Sequence, residues 1–312
     1  MIQGRKLFDC ILYNGEIEVL LLRLGLMSPF VDRFIILESP LTFSNRKKEL
    51  AFPAQKHYLK NYLQQIDYRV IDDFGHCRDA WDREHHVRNR LRDLAGGNPD
   101  DLIIISDTDE ILNLQAIADR LVLPGINLIQ LSTYYGFINL RSTEKIQFSL
   151  LADLQSTEGH FLGDRTKYKL LDHNLIEDYN GCNGGHFTYQ FGYKLDLYRK
   201  KIQGFSHQEF NTERILSKRR IKKCLNYQLD ILERYEYRYE LVGWDQLFIS
   251  REAFSGANIE QTMTYRKRSV SYHFHRLFKY LDPYFIAYHK IPIRIFLSRL
   301  KKCITGKKSL RR

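Results

Sequence analysis

Apolar residues in this chain come in short runs, and polar stretches of helical period separate them. Leu7 to Tyr13, Phe34 to Leu37 and Ile66 to Ile71 are runs of strand length. Between the first two, Glu16 to Met27 is leucine-rich on more than one face, which predicts a well-buried helix. The second run closes in Glu38-Ser39-Pro40, Asn45 to Lys48 is polar and basic as a loop would be, and the third run closes in Asp72-Asp73-Phe74-Gly75. Ala80 to Ala95 places Ala80, Val87, Leu91 and Leu94 near one face and meets Gly96-Gly97, a helix with its stop signal. Leu102-Ile103-Ile104-Ile105 then runs without a polar interruption into Ser106-Asp107-Thr108-Asp109-Glu110. A continuous apolar run bounded by turn residues predicts a strand covered on both faces. A helix from near Ile111 to about Leu121 and a strand from Ile126 to Leu131 complete the pattern. Strand and helix alternating at this spacing predict an α/β fold, a mostly parallel sheet with helices on both faces.

After residue 132 the pattern loosens. Tyr134 to Gly204 is rich in Tyr, Phe, Gly, Asn and Asp, which predicts long loops around a pocket. Glu213 to Arg238 returns to helical spacing through Ile221, Leu225, Leu229 and Leu232, and predicts one long helix. Past Tyr265 the chain is basic and aromatic, so 1–265 is expected to form the main domain and 266–312 an extension. Pro292 is a helix-start residue, and Ile293, Phe296, Leu297, Leu300 and Ile304 form one stripe flanked by Arg294, Arg299, Lys301 and Lys302. Such a helix either lies on an anionic membrane surface or packs its stripe on the main domain.

With 312 residues and 44% hydrophobic content, the chain can bury a sizeable core. Its five cysteines, Cys10, Cys77, Cys182, Cys224 and Cys303, are scattered, which favours a reducing compartment and disfavours a zinc site. The opening carries no signal-type apolar region, and nowhere do 18 apolar residues run together. A cytoplasmic protein is expected, peripheral at the inner face of the membrane if the terminal stripe docks there. The net charge of +11 implies an anionic partner: nucleic acid, anionic lipid or a nucleotide-diphosphate substrate.

The chemistry concentrates where the Leu102 run ends. Ligands of open α/β sheets bind at the carboxyl ends of strands. Asp107 and Asp109, two apart in an extended or turning backbone, can converge on one hard cation, Mg²⁺ or Mn²⁺, shared with substrate phosphates. The competing reading makes Ser106 or Asp109 a cap of the following helix.

Six segments stand out together: Lys6-Leu7-Phe8-Asp9-Cys10-Ile11-Leu12-Tyr13-Asn14-Gly15-Glu16 running to Leu24, Val31 to Ser39 with Thr42-Phe43, Arg83-Glu84 through Arg88, Ser106 to Ile111, Gly184-Gly185-His186-Phe187, and Phe205-Ser206-His207-Gln208-Glu209. In this order they resemble glycosyltransferase family 17, the family of the bisecting β-1,4-mannosyl-glycoprotein N-acetylglucosaminyltransferases. The resemblance implies a GT-A fold and a metal-dependent inverting transfer, most simply of N-acetylglucosamine from UDP-GlcNAc to a saccharide or lipid-linked saccharide. In that frame Asp107 and Asp109 hold Mn²⁺ or Mg²⁺, and a carboxylate deprotonates the acceptor hydroxyl. Glu209 is the first candidate, its alternative being a capping box with Ser206. Asp245 is the second, its alternative a helix cap. His207 approaches the diphosphate or metal, or is a structural donor. Gly184 and Gly185 let the backbone approach the sugar-phosphate, or form an ordinary turn. Arg88 reaches a phosphate or buttresses the aspartates, or is solvated. Asp9 contacts uracil or ribose, or is a buried cap. His273 or His275 completes the metal shell.

Two other classes use the same features. A nucleotidyltransferase would employ the Asp-x-Asp pair with Mg²⁺, and a nucleic-acid-binding protein would employ the positive charge and the Tyr/Arg-rich tail. The acids at a strand end argue against nucleic acid as the primary partner.

Overall fold

The computed structural model describes residues 4–118, 124–179, 181–234, 237–256 and 264–267, apart from the side chains of 144–146. The Pro292 stripe, His273 and His275 lie outside the described residues. The strands are β1 Leu7–Leu12, β2 Arg33–Glu38, β3 Ile66–Val70, β4 Leu102–Asp107, β5 Glu110–Leu112, β6 Ile126–Tyr135, β7 Leu140–Asp153, β8 His173–Ile176, β9 Gly184–Thr188 and β10 Tyr239–Leu241. The helices are α1 Ile17–Met27, α2 Ala51–Gln55, α3 Ala80–Ala95, α4 Leu114–Ile117, α5 Leu195–Gly204, α6 Glu213–Leu216, α7 Lys218–Tyr227 and α8 Arg251–Gly256. Among the described residues no helix is long and apolar enough to cross a membrane. Cys10, Cys77, Cys182 and Cys224 are free thiols.

One sheet runs β3-β2-β1-β4-β7-β6-β9-β5, with β10 on β7 and β8 on β6. Its first four strands are parallel, as the alternation of strand and helix predicts. Strand alternation then sends successive residues to opposite faces. Leu7, Ile11, Phe34, Ile36, Leu102 and Ile104 meet Leu20, Leu24 and Met27 of α1. Phe8, Cys10, Ile35, Leu37, Ile103 and Ile105 meet Val87, Leu91 and Ala95 of α3. Asp79 caps α3 by accepting from the Asp82 amide, and Gly96 ends it at φ 57°.

The second half departs from its sequence reading. In place of long loops, Tyr134 to Gly204 contains the 14-residue β7, β8, β9 and α5. β7 returns antiparallel to β6 and lies between it and β4, so the sheet is mixed. The polar residues Arg141, Thr143 and Gln147 interrupt its apolar pattern, and Arg141 is paired with Glu240 beside it. The helix expected from near Ile111 is instead the short strand β5 followed by the single turn α4. The long helix expected over Glu213 to Arg238 is two helices. Ser217, at φ −61° and ψ 117°, ends α6 and starts α7. Gln228, left-handed at φ 56°, ends α7, where Leu229 N–H bonds Cys224 O and Gln228 N–H bonds Leu225 O. A second core forms here, where Tyr198 and Ile202 of α5 and Ile221, Cys224 and Leu225 of α7 pack with Tyr135 and Tyr189.

Candidate active site

Because β4 alternates, Ser106 faces α1 and Asp107 faces α3. The turn that follows is clamped from three sides. Beneath it, the fully buried Arg23 of α1 donates to the carbonyls of Asp107 at 2.9 Å and Glu110 at 2.7 Å, and to Ser106 Oγ at 2.6 Å. The Phe187 amide of β9 bonds Asp109 O at 2.6 Å, and the Thr108 hydroxyl donates to Leu12 O at the end of β1. The acids are therefore displayed by a fixed backbone at the carboxyl ends of parallel strands, where an α/β sheet binds its ligands.

They open into a cavity of about 340 Å³, within the range of small-molecule sites. Its charged end contains Glu16, Asp107, Asp109, Arg88, Arg165 and Lys201. Asp107 accepts from Arg88 at 3.2 Å and from Arg165 at 3.1 Å. Arg165 also holds the fully buried Glu110 at 2.6 Å. Lys201 Nζ lies between Asp109 at 3.0 Å and Glu16 at 2.9 Å. Burial resists ionisation of Asp109, but Lys201 and then His186 outweigh it and hold the carboxyl well below the usual range. Asp107 is likewise lowered, Arg88 and Arg165 outweighing burial. Glu16 and Glu110 go the other way, raised by burial and by the neighbouring aspartates.

Two carboxylates and the His186 imidazole, 3.5 Å from Asp109 Oδ1, are donors that Mn²⁺ or Mg²⁺ accepts. The buried His186 Nδ1 has no hydrogen-bond partner. Among the described residues, no three His, Cys, Asp or Glu side chains converge closely enough to form a metal cage alone. A divalent cation held here would therefore need to take part of its coordination from outside the protein, as Mg²⁺ does from substrate phosphates.

Other residues singled out from sequence divide between cavity and scaffold. Arg88 is buried at the cavity, bonded to Asp107, Glu84 and the Gly163 carbonyl. Asp9 lies outside the cavity lining: it has no solvent exposure, and both its oxygens accept from Arg23, whose charge it balances. Gly184 and Gly185 lie outside the cavity lining, in β9 against β5. A Cβ on Gly184, at φ +138°, would stand 2.2 Å from Ile111 O, and one on Gly185 would stand 2.7 Å from the Phe187 ring. His207 lines the cavity. Glu209 lies outside the lining, exposed, and forms no capping box: Ser206 instead turns inward to donate to Glu84 and to the Ala80 carbonyl. Asp245 is exposed and also outside the lining. Arg23, Arg165, Lys201, Glu16 and His186 carry no local pattern that marks them in the sequence. Of these, Glu16 and Arg23 stood in the segment from Lys6 to Leu24 and His186 between Gly185 and Phe187, while Arg165 and Lys201 stood in none.

Parallel strands ending in an acidic turn, over a cavity lined by three arginines and two lysines, define an α/β transferase of the GT-A type. The profile of glycosyltransferase family 17 matches residues 2–242. The chain belongs to glycosyltransferase family 17. It is 30% identical over 122 residues to the human β-1,4-mannosyl-glycoprotein 4-β-N-acetylglucosaminyltransferase and to its rat counterpart. Each match covers 34% of this chain and 22% of the relative, so the matched segment spans about a fifth of those proteins. Among solved structures, the glycosyltransferase GlyE of Streptococcus pneumoniae TIGR4 is 13% identical with a TM-score of 0.32, over 64% of this chain and 51% of that one. The inositol-1-phosphate CTP transferase of T. maritima is 11% identical with a TM-score of 0.31, over 56% of this chain and 86% of that one.

Proposed function

We propose that this glycosyltransferase moves N-acetylglucosamine from UDP-GlcNAc to a saccharide or lipid-linked saccharide, with inversion to a β-linkage and with a divalent cation. The donor sugar is carried over from the N-acetylglucosaminyltransferase activity for which the human and rat relatives are named. The observation that supports the site is the meeting of Asp107 and Asp109 with Arg88, Arg165 and Lys201 in one cavity.

Asp107 and Asp109 would hold Mn²⁺ or Mg²⁺, which when bound neutralises charge on the diphosphate. Arg88, Arg165 and Lys201 supply further positive charge around the leaving group, and their own carboxylate partners hold them in place. Inversion also requires a base on the face of the sugar opposite the diphosphate. The terminal basic stripe from Pro292 would hold the enzyme on the anionic inner face of a membrane, near a lipid-linked acceptor.

A donor screen tests this reading: turnover of UDP-, GDP- and dTDP-sugars with Mn²⁺, Mg²⁺ or EDTA. UDP-GlcNAc should be consumed with release of UDP, and EDTA, Asp107→Ala or Asp109→Ala should abolish it. UDP affinity indifferent to EDTA overturns the metal, and preference for a GDP- or dTDP-sugar overturns the donor. Release of pyrophosphate in place of UDP points to nucleotidyl transfer.

A further inference from the structure

Four side chains of α3, Trp81, Glu84, His85 and Arg88, stand at i, i+3, i+4 and i+7, and all four line the cavity. Arg88 is bonded to Asp107, which fixes one end of this stripe at the charged cluster. Trp81 lies two helical turns away, roughly 10 Å along the axis. The end it marks is aromatic. Trp81, 38% exposed, meets the His207 ring edge to face at 4.5 Å, and His207 in turn lies beside Phe205 and Phe210. The cavity therefore has a charged end suited to a diphosphate and an aromatic end suited to the apolar face of a pyranose ring.

His207 also has a polarised ring. Its Nδ1 lies 2.7 Å from Glu209 Oε1. A carboxylate can only accept, so Nδ1 carries a proton, and in the neutral ring it is Nε2 that keeps the lone pair. Nε2 has no hydrogen-bond partner among the described residues, and the ring is part of the cavity lining. The carboxylates that also line the cavity are engaged elsewhere. Glu84 accepts from Ser206 and Arg88, Glu16 from Lys201, and Asp164 from the Thr166 hydroxyl and amide.

We propose that the Trp81–His207 end of the cavity binds the acceptor saccharide and that His207, oriented by Glu209, is the base of the transfer. This rests on the glycosyl-transfer reading above and names its acceptor side. The acceptor hydroxyl gives its proton to His207 Nε2 as its oxygen bonds to the anomeric carbon of the donor. The bond from that carbon to the phosphate oxygen breaks, and its electron pair leaves on the nucleoside diphosphate. The imidazolium that forms is stabilised by Glu209 and releases its proton to solvent once the product has left. Glu209 is thus a positioning residue, and Trp81 a binding one.

Steady-state kinetics with mannose- and N-acetylglucosamine-containing disaccharides as acceptors, beside calorimetric binding of the UDP-sugar, test the proposal. If no disaccharide is used, hydrolysis of the donor, with water in the acceptor's place, is measured on His207→Ala. His207→Ala should lower kcat by about 10²–10⁴-fold while donor affinity stays, and added imidazole should restore part of the rate. Glu209→Ala should lower kcat without moving the donor KM, and Glu209→Gln, whose amide oxygen still accepts from Nδ1, should lose less. Trp81→Ala should raise the acceptor KM about tenfold, and Trp81→Phe, which keeps a ring, less. Undiminished turnover in His207→Ala, or a decline that imidazole leaves untouched, overturns the base. An unmoved acceptor KM in Trp81→Ala overturns the binding end. Both failures leave donor binding and glycosyl transfer standing, whereas a wild-type protein that binds no nucleotide sugar overturns the two readings together.

Discussion

Arg23 lies in a helix whose other residues, from Ile17 to Met27, are nearly all apolar, and its guanidinium has no contact with solvent. Such a charge is stable in a core only when it is paired and its donors are satisfied. Asp9 supplies the charge, and the backbone of the acidic turn supplies the acceptors. One buried ion pair thus fixes the backbone that displays Asp107 and Asp109. Asp109 itself is more acidic in the folded chain than in the unfolded one, since Lys201 and His186 outweigh its burial. A carboxyl lowered on folding contributes stability that is full above its unfolded pKa, about 3.9, and is lost as pH falls through the folded value. Wild type should therefore be more stable than Asp109→Asn near pH 6, with the gap closing below about pH 4. Urea unfolding across that range measures it. A gap that stays constant or widens on acidification shows that the Lys201 contact carries no such linkage.

At the scale of elements, the site depends on how closely β9 approaches β5. Glu110 pairs with His186, Ile111 with Gly185 and Leu112 with Gly184, and the next amide, Phe187 N–H, holds the Asp109 carbonyl. Gly184 makes this approach possible, with a φ that L side chains rarely adopt and no room for a Cβ beside Ile111 O. Gly184→Ala should destabilise the fold by on the order of 3 kcal/mol or more, from backbone strain with the steric clash added. It should also displace Asp109 and lower activity in molecules that remain folded. An unchanged urea midpoint would contradict the close approach. The helix α3 has the complementary role. Its apolar face, Val87, Leu91 and Ala95, anchors it to the sheet, and the Trp81–Arg88 stripe is thereby set along the cavity.

At the scale of the whole molecule, the net charge of +11 coexists with a site in which acids and bases are matched. Part of the excess falls in the terminal stripe from Pro292. Each basic residue near an anionic leaflet contributes about 1 kcal/mol, so the cluster should hold the enzyme reversibly. Wild type should pellet with anionic but not neutral vesicles, and a chain cut before Pro292 should remain in solution. If the cut chain unfolds, or if both forms ignore anionic vesicles, the stripe serves the core. What the sequence by itself determined was the first half of this fold. β1, α1, β2, β3, α3 and β4 are local patterns, runs of strand length and a helix with its own start and stop, and they lie where periodicity puts them. It also determined that Asp107 and Asp109 stand at the end of a buried strand, because that follows from an apolar run meeting acids. The tertiary structure decided the rest, because the rest depends on partners distant in the chain. β7 is a strand because β4 and β6 flank it, despite its polar residues. The helix expected over Glu213 to Arg238 breaks at Ser217 and Gln228, neither of which is a glycine or proline that would have marked the break. Arg165, Lys201 and His186 join Asp107 and Asp109 across 58, 92 and 77 positions of sequence, and no local pattern can encode a Coulombic pairing at that separation.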